Sequence, residues 1–170
     1  MELEYVILVN ETDQEIGKME KQEAHEKGLL HRAFSVFVFN NKHQLLLQQR
    51  ALTKYHSAGL WTNTCCSHPR VGETIEQAAH RRLQEEMGFD CDLSIRTNFI
   101  YKAEFENGLT EHELDYILVG NYEAAININP DEVASYKWVD IDWLKTDMKQ
   151  NPAYYTAWFT IISEKFWELL

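Results

Sequence analysis

Segment 74–88 predicts an amphipathic helix with a charged pair on its apolar face, a feature that few folds accommodate. Thr74 and Gln77 have the spacing of a capping box, and Gly88 provides the stop. At about 100° per residue, one helix face carries Ile75, Ala78, Ala79, Leu83 and Met87. Arg82 and Glu86 lie in the middle of that face. Because charged side chains avoid the interior unless they are paired or bind a ligand, this helix is predicted to line a pocket.

Strand-forming segments occur on both sides of this helix along the chain. The predicted strands span 5–9, 16–19, 33–39, 44–49, 99–105, 114–122 and 135–139. Further helices are predicted at 142–149 and 154–170. A chain of 170 residues has the length of one domain, predicted here to span 1–170. This combination of strands and helices indicates an α/β fold in which helices flank a mixed β-sheet.

Composition argues against several partners and locations. The net charge of −11 argues against nucleic acid, because contacts to its backbone need a basic face. No segment reaches the roughly 20 apolar residues that span a bilayer, so no membrane association is expected. The acidic start lacks the pattern of a secretory signal. Three cysteines are too few for a disulfide framework, so a cytoplasmic location is expected. A monomer is expected because no apolar helix face is left over.

Three histidines and two glutamates form a candidate ligand set for a divalent metal. Glu111 and Glu113 point to one side if they lie in a strand, and adjacent carboxylates repel unless a cation or proton lies between them. His25, His31 and His68 would add nitrogen ligands. Taken alone, His25 and His31 are more typical of surface or capping positions, whereas His68 precedes Pro69 and is expected in an extended loop segment. The glutamates alone are more typical of a solvated strand edge.

Cys66 and four cations are further candidates. Cys66 fits a buried hydrophobic residue, the usual fate of a free cysteine, or a proton donor or acceptor. A structural zinc site is a weak alternative, because Cys66 and His68 lack a second ligand pair. The candidate cations form no continuous basic stripe and comprise Lys21, Arg50, Lys54 and Arg82. Each is more typical of a solvated surface position, except Arg82, whose helix face is predicted to point inward.

Residues 67–89 resemble the Nudix box. The matching positions are Glu73, Arg81, Leu83, Glu85, Glu86, Gly88 and Phe89. Two positions depart from the box: Ser67 stands at its opening Gly, and Arg82 stands where a Glu follows the Arg. In Nudix hydrolases the box glutamates hold Mg²⁺ for diphosphate cleavage. A cation at Arg82 therefore implies a weaker metal cluster and an added phosphate contact.

The sequence around the box resembles the type 1 isopentenyl diphosphate isomerases, a branch of the Nudix superfamily. The similar stretches cover nearly the whole chain: EKQEAHEKGLLHRAFS, RALTK, WTNTCCSHP, TEHELDY and YYTAWF. The resemblance implies a Nudix-type α/β/α sandwich. It also implies that the chain interconverts isopentenyl and dimethylallyl diphosphate in isoprenoid biosynthesis, through a tertiary carbocation.

The resemblance also implies a role for each matching residue. A first metal site for Mn²⁺, Mg²⁺ or Zn²⁺ would comprise His25, His31, His68, Glu111 and Glu113. The catalytic group would comprise Cys66 and Glu113 as proton carriers, Tyr101 assisting Glu113, and Trp158 facing the hydrocarbon end. The diphosphate would contact Lys21, Arg50, Lys54 and Arg82. Glu86, with the Cys66 backbone, would bind a Mg²⁺ shared with the diphosphate, and no organic cofactor is implied.

Two other functions remain open from the sequence. A Nudix pyrophosphohydrolase acting on a nucleoside diphosphate derivative would not require Arg82 or the histidines outside the box. A non-catalytic binding module or metal-binding protein would not require Cys66 and Glu113 as paired proton carriers.

Overall fold

The computed structural model describes residues 2–170, which form nine strands and four α-helices. The strands are Tyr5–Val9 (β1), Glu15–Glu20 (β2), His31–Phe39 (β3), Leu45–Arg50 (β4), Trp61–Thr62 (β5), Cys65–Ser67 (β6), Leu93–Glu104 (β7), Thr110–Asn121 (β8) and Val133–Val139 (β9). The helices are Lys21–Lys27 (α1), Ile75–Met87 (α2), Ile141–Gln150 (α3) and Ala157–Phe166 (α4). Short 3₁₀ turns span Pro152–Tyr154 and Trp167–Leu169. Within this described part, no helix is long and apolar enough to cross a bilayer.

Strand β3 lies at the centre of one mixed sheet. It pairs in parallel with β8 along its whole length, from His31 beside Glu113 to Phe39 beside Asn121. It pairs antiparallel with β6, where Ser35 lies beside Cys66. Strands β7 and β8 form a long antiparallel hairpin, and β4 pairs with β5 and β9. The sheet therefore carries the side chains of β6 and β8 on either side of β3.

Helices cover both faces of this sheet, which confirms the predicted α/β fold. Alternate residues of β3 point to opposite faces, as strand geometry requires. Val36 and Val38 pack with Leu83 and Met87 of α2 on one face. Phe37 packs on the other face with α3 and α4, and Phe159 of α4 is fully buried there. The result is an α/β/α sandwich.

Helix α2 begins and ends where the sequence predicts. Thr74 and Gln77 form both hydrogen bonds of the capping box. Gly88 closes the helix at φ +71°, in the left-handed region that favours glycine. A Cβ at Gly88 would also lie 2.1 Å from the Asn127 carbonyl oxygen. This fixed end holds the last turn of α2, which carries Glu86, against the sheet.

The prediction of one helix over 154–170 was wrong. Tyr155 and Thr156 are extended: Tyr155 bridges to Trp61, and the Thr156 amide donates to the Trp61 carbonyl at 3.0 Å. The hydroxyls of Thr62 and Thr156 also lie 2.8 Å apart. Because these contacts with β5 replace the first helical turns, α4 starts only at Ala157. Trp158 therefore enters the molecule from the first turn of α4.

The two hairpin strands are longer than predicted. Strand β7 begins at Leu93 and β8 at Thr110, several residues before the predicted starts. Polar residues at 110–113 hide this start in the sequence, since they break the apolar pattern of a strand. In the structure Glu111 and Glu113 continue the ladder and lie opposite Ala103 and Tyr101.

Candidate active site

A cavity of about 280 Å³ gathers most of the residues predicted to act in a site. Eleven of them line it: Lys21, Arg50, Lys54, Cys66, His68, Arg82, Glu86, Tyr101, Glu111, Glu113 and Trp158. The two other predicted ligands, His25 and His31, are fully buried beside it. These side chains are spread along the chain from Lys21 to Trp158 and lie on strands, helices and loops, so only the fold brings them together.

Three histidines and one glutamate form a compact cluster at one side of this cavity. Helix α1 supplies His25, β3 supplies His31, the segment after β6 supplies His68, and β8 supplies Glu113. One ligand atom from each of the four lies within 4.8 Å of the others. The parallel pairing of β3 and β8 makes His31 and Glu113 direct neighbours. Three nitrogens and a carboxylate oxygen are a ligand set suited to a divalent transition metal or zinc.

Unpartnered nitrogen atoms in the cluster fit a metal ion. Nε2 of His25 and Nε2 of His31 are buried and have no hydrogen-bond partner. The other ring nitrogens are engaged: Nδ1 of His31 lies 2.8 Å from the Leu29 carbonyl, and Nδ1 of His25 lies 2.7 Å from the Tyr55 hydroxyl. Burial, with His68 and His31 nearby, lowers the pKa of His25 to about 3. A neutral imidazole with one nitrogen held from outside is the usual form of a histidine ligand.

Glu113 lies at the centre of the cluster, whereas Glu111 lies at its edge. Oε1 of Glu113 is 3.2 Å from Nε2 of His68, and its Oε2 accepts a hydrogen bond from Tyr101 at 3.0 Å. Burial opposes ionisation of Glu113, but His31 and His68 hold the pKa of its carboxyl well below the usual range. The same Tyr101 hydroxyl lies 2.8 Å from Oε2 of Glu111, so its one proton is shared between the two carboxylates, and Oε1 of Glu111 lies 3.2 Å from Nε2 of His56. The structure thus brings four of the five predicted ligands together, with Glu111 adjacent.

Cys66 faces the same cavity from β6. Its Sγ lies 3.0 Å from Oδ1 of Asn63 and accepts a hydrogen bond from the Trp158 indole at 3.1 Å. Burial, together with the nearby carboxyl group of Asp115, raises the pKa of the Cys66 thiol. Burial therefore favours the protonated form of the Cys66 thiol, whereas the two histidines favour the ionised form of the Glu113 carboxylate. Neighbouring groups whose pKa values are pushed apart in this way are typical of acid–base pairs.

The four predicted cations line the same cavity. Arg82 donates to Glu86 at 2.5 Å and to Glu85 at 2.7 Å. Lys54 and Lys21 form ion pairs with Glu132 and Glu4, respectively. The Arg50 guanidinium lies 5.1 Å from the centroid of the Trp158 ring. Glu86 is fixed by three donors, because Gln48 and the Cys65 thiol also contact its carboxylate.

Several residues of the site were not predicted from the sequence. Asp115 could have been found, because it follows Glu111 and Glu113 at the same two-residue spacing and shares their strand face. Glu132 follows a turn and neutralises Lys54, a contact between distant segments that no local pattern predicts. Tyr55 and His56 lie in the loop after β4, where the apolar residues follow no helix or strand period.

Comparisons with known proteins identify the family of the chain. Residues 29–159 match the Nudix domain family. Isopentenyl-diphosphate Delta-isomerase 2 of Photorhabdus laumondii is 55% identical over 156 residues, which cover 92% of this chain and 88% of that protein. Isopentenyl-diphosphate Delta-isomerase of Pectobacterium atrosepticum is 53% identical over 161 residues, covering 95% and 90%.

A solved structure shows the same fold at much lower sequence identity. The crystal structure of DR0079 from Deinococcus radiodurans aligns with a TM-score of 0.78 at 19% identity, covering 96% of this chain and 99% of that one. This structure supports the fold alone, so the assignment to a family within that fold rests on the sequence relatives. The chain belongs to the Nudix family and, within it, to the isopentenyl-diphosphate Delta-isomerases.

Proposed function

We propose that this chain interconverts isopentenyl diphosphate and dimethylallyl diphosphate. One observation carries the proposal: the Cys66 thiol and the Glu113 carboxylate face one cavity from strands on opposite sides of β3. Cys66 lies on β6 and Glu113 on β8, and both strands pair with β3. A double-bond shift needs a proton added at one carbon and another removed from a neighbouring carbon. Two proton carriers fixed on separate strands match that requirement.

The proton transfers are assigned to Cys66 and Glu113, with Tyr101 as a positioning residue. Protonation of the terminal alkene carbon leaves a tertiary cation at C3, and loss of a proton from C2 completes the shift. Since an alkene is a very weak base, the acid must be held close and aimed at one carbon. Tyr101 holds the Glu113 carboxylate by its hydroxyl, and Asn63 and Trp158 hold the Cys66 sulfur.

The metal centre is assigned to the histidine and glutamate cluster. His25, His31, His68 and Glu113, together with Glu111, would hold one divalent ion, Mn²⁺, Mg²⁺ or Zn²⁺. Such an ion would fix the Glu113 carboxylate and shape its proton affinity. Glu86, with the backbone of Cys66, would hold a Mg²⁺ that the diphosphate shares, since Mg²⁺ commonly binds few carboxylates plus phosphate oxygens.

Four cations are assigned to the diphosphate, so that the anionic end of the substrate is anchored away from the reacting carbons. Lys21 and Lys54 are paired with Glu4 and Glu132 in this structure, and a bound diphosphate would compete with those carboxylates. Arg50 and Arg82 each keep a buried Nε without a partner. Guanidinium groups bind phosphate oxygens with two parallel hydrogen bonds, which suits such free donors.

Trp158 is assigned to the cationic intermediate. The guanidinium of Arg50 already lies near the face of its indole ring, so this ring accepts a positive charge in the folded protein. An indole face near a desolvated cation contributes about 2 kcal/mol. That amount corresponds to roughly thirtyfold in rate, so proton positioning must supply most of the acceleration.

The location and assembly are proposed from the sequence and the cysteines. All three cysteines are free, which fits a reducing compartment such as the cytoplasm. We propose a monomer that acts on a small diphosphate, with no nucleic acid or membrane partner.

The proposed activity is tested by following the fate of the diphosphate. Purified protein with Mg²⁺ and Mn²⁺ is incubated with isopentenyl diphosphate, and the mixture is analysed by ³¹P and ¹H NMR. We expect dimethylallyl diphosphate with an intact diphosphate group, and we expect no conversion after the divalent ions are removed. Release of inorganic phosphate or a monophosphate would identify a Nudix hydrolase instead. Unchanged substrate in the metal-loaded sample would favour a binding module.

A further inference from the structure

The loop between β4 and β5 contributes two side chains to the wall of the cavity that have no role in the reaction described above. Tyr55 and His56 both line the cavity. His56 is buried, with 8% of its surface exposed. Tyr55 keeps 43% of its surface exposed, yet its hydroxyl reaches inward to the metal cluster. Tyr55 and His56 therefore extend from this loop and contact two different predicted metal ligands, His25 and Glu111.

Tyr55 contacts the outer nitrogen of His25. Its hydroxyl oxygen lies 2.7 Å from Nδ1, while Nε2 of the same ring is buried without a hydrogen-bond partner. If Nδ1–H donates to the tyrosine oxygen, the lone pair of Nε2 faces the cluster. A hydrogen bond on the far nitrogen commonly fixes the tautomer and the orientation of a metal-binding histidine. Tyr55 thus selects the form of His25 that can bind a metal.

His56 contacts the edge glutamate, Glu111. Its Nε2 lies 3.2 Å from Oε1 of Glu111, and its Nδ1 lies 3.2 Å from the Ser57 hydroxyl. A neutral His56 satisfies both contacts if Ser57 donates to Nδ1 and Nε2–H donates to the carboxylate. Tyr101 holds the other carboxylate oxygen of Glu111 at 2.8 Å. His56 and Tyr101 together therefore fix the direction of that carboxylate.

The loop packs against other parts of the site. The His56 ring stacks on Phe105 at 5.0 Å and meets Trp158 edge-on at 5.9 Å. Asn107 in the β7–β8 turn donates to the Tyr55 carbonyl at 3.3 Å. These contacts connect the loop to the hairpin that carries Glu111 and to the helix that carries Trp158.

We propose that Tyr55 and His56 are positioning residues that pre-organise the metal centre, Tyr55 through His25 and His56 through Glu111. This inference rests on the metal site of the proposed function. Residues that hold metal ligands from outside typically contribute about 10- to 100-fold in metal affinity. Because neither side chain is needed as a ligand, its removal weakens the site without dismantling it.

The test is a titration of the metal-free protein with Co²⁺ alone, followed by calorimetry and by the visible absorption of the bound ion. We expect Tyr55→Phe, which removes only the hydroxyl, to lower the Co²⁺ affinity by about tenfold or more. Tyr136→Phe, a matched change on the partly exposed outer strand β9, should bind as the wild type does. Equal affinities for Tyr55→Phe and the wild type would overturn the role of Tyr55.

A second pair of variants tests His56. His56→Ala should lower the Co²⁺ affinity by a similar factor, and His56→Gln, which keeps an N–H donor near the position of Nε2, should recover part of it. Equal losses in the two variants would contradict a hydrogen-bonding role for His56. If His56→Ala does not fold, His56→Gln is compared with His56→Phe, which keeps a ring against Phe105 but has no N–H donor, and the larger loss of Co²⁺ affinity is expected for His56→Phe. A wild-type protein that binds no Co²⁺ would instead overturn the metal site itself.

Discussion

Replacing Cys66 by alanine is expected to lower kcat by about 10²–10⁴-fold, the range contributed by a positioned acid or base. The thiol faces the cavity from β6, and burial raises its pKa, which favours the protonated form. Alanine leaves the backbone pairing of Cys66 with Ser35 unchanged. Cys66→Ser keeps a hydroxyl in place but changes its acidity and reach, so a large loss is expected there as well.

The alternative role for Cys66 is packing, and kinetics separate the two. Cys91→Ala serves as the matched control, because Cys91 is also free but lies beside α2, packed against the core on the other face of the sheet. That variant should retain normal kcat. Near-normal turnover in Cys66→Ala or Cys66→Ser would remove the thiol from the mechanism. Circular dichroism and the melting temperature check that each variant is folded.

Replacing Glu113 by glutamine is expected to abolish metal binding together with turnover. The carboxylate lies 3.2 Å from His68 and 3.6 Å from Nε2 of His31, so glutamine removes the one negative charge central to the cluster. It also removes a proton carrier, which alone costs about 10²–10⁴-fold in kcat. Because the four cations assigned to the diphosphate are unchanged in this variant, KM should change far less than kcat.

The measurements for Glu113→Gln are steady-state kinetics and the metal content after dialysis against Mn²⁺. Glu104→Gln is the control, since Glu104 lies exposed at the end of β7 and outside the cavity. It should keep the wild-type values of both. A Glu113→Gln protein that keeps its metal and its kcat would refute both roles of the carboxylate.

The local parts of the site could be predicted from the sequence. The capping box at Thr74 and the stop at Gly88 place α2, and its period places Arg82 and Glu86 toward the cavity. The two-residue spacing of Glu111 and Glu113 puts both carboxylates on one strand face. Each of these predictions concerns one helix or one strand, so the periodicity of the local sequence is enough to make it.

Contacts between distant segments could not be predicted in the same way. The break before Ala157 depends on β5, since Thr156 bonds to Trp61, a residue far away in the chain. The inward reach of Tyr55 depends on where α1 places His25. Similarly, the assignment of His31 and Glu113 to one cluster needs the parallel register of β3 and β8. Residue chemistry and the resemblance to a family had suggested a shared ligand set that includes His31 and Glu113, but neither indicated Tyr55 or the break before Ala157.

Incubation of the protein with isopentenyl diphosphate in D₂O probes the proposed chemistry at the level of single carbon atoms. If Cys66 and Glu113 exchange their protons with solvent and add one to the alkene, NMR should show deuterium in a methyl group of the dimethylallyl diphosphate formed. A product without deuterium, or release of phosphate without any allylic product, would contradict the assignment of this cavity to proton addition and removal.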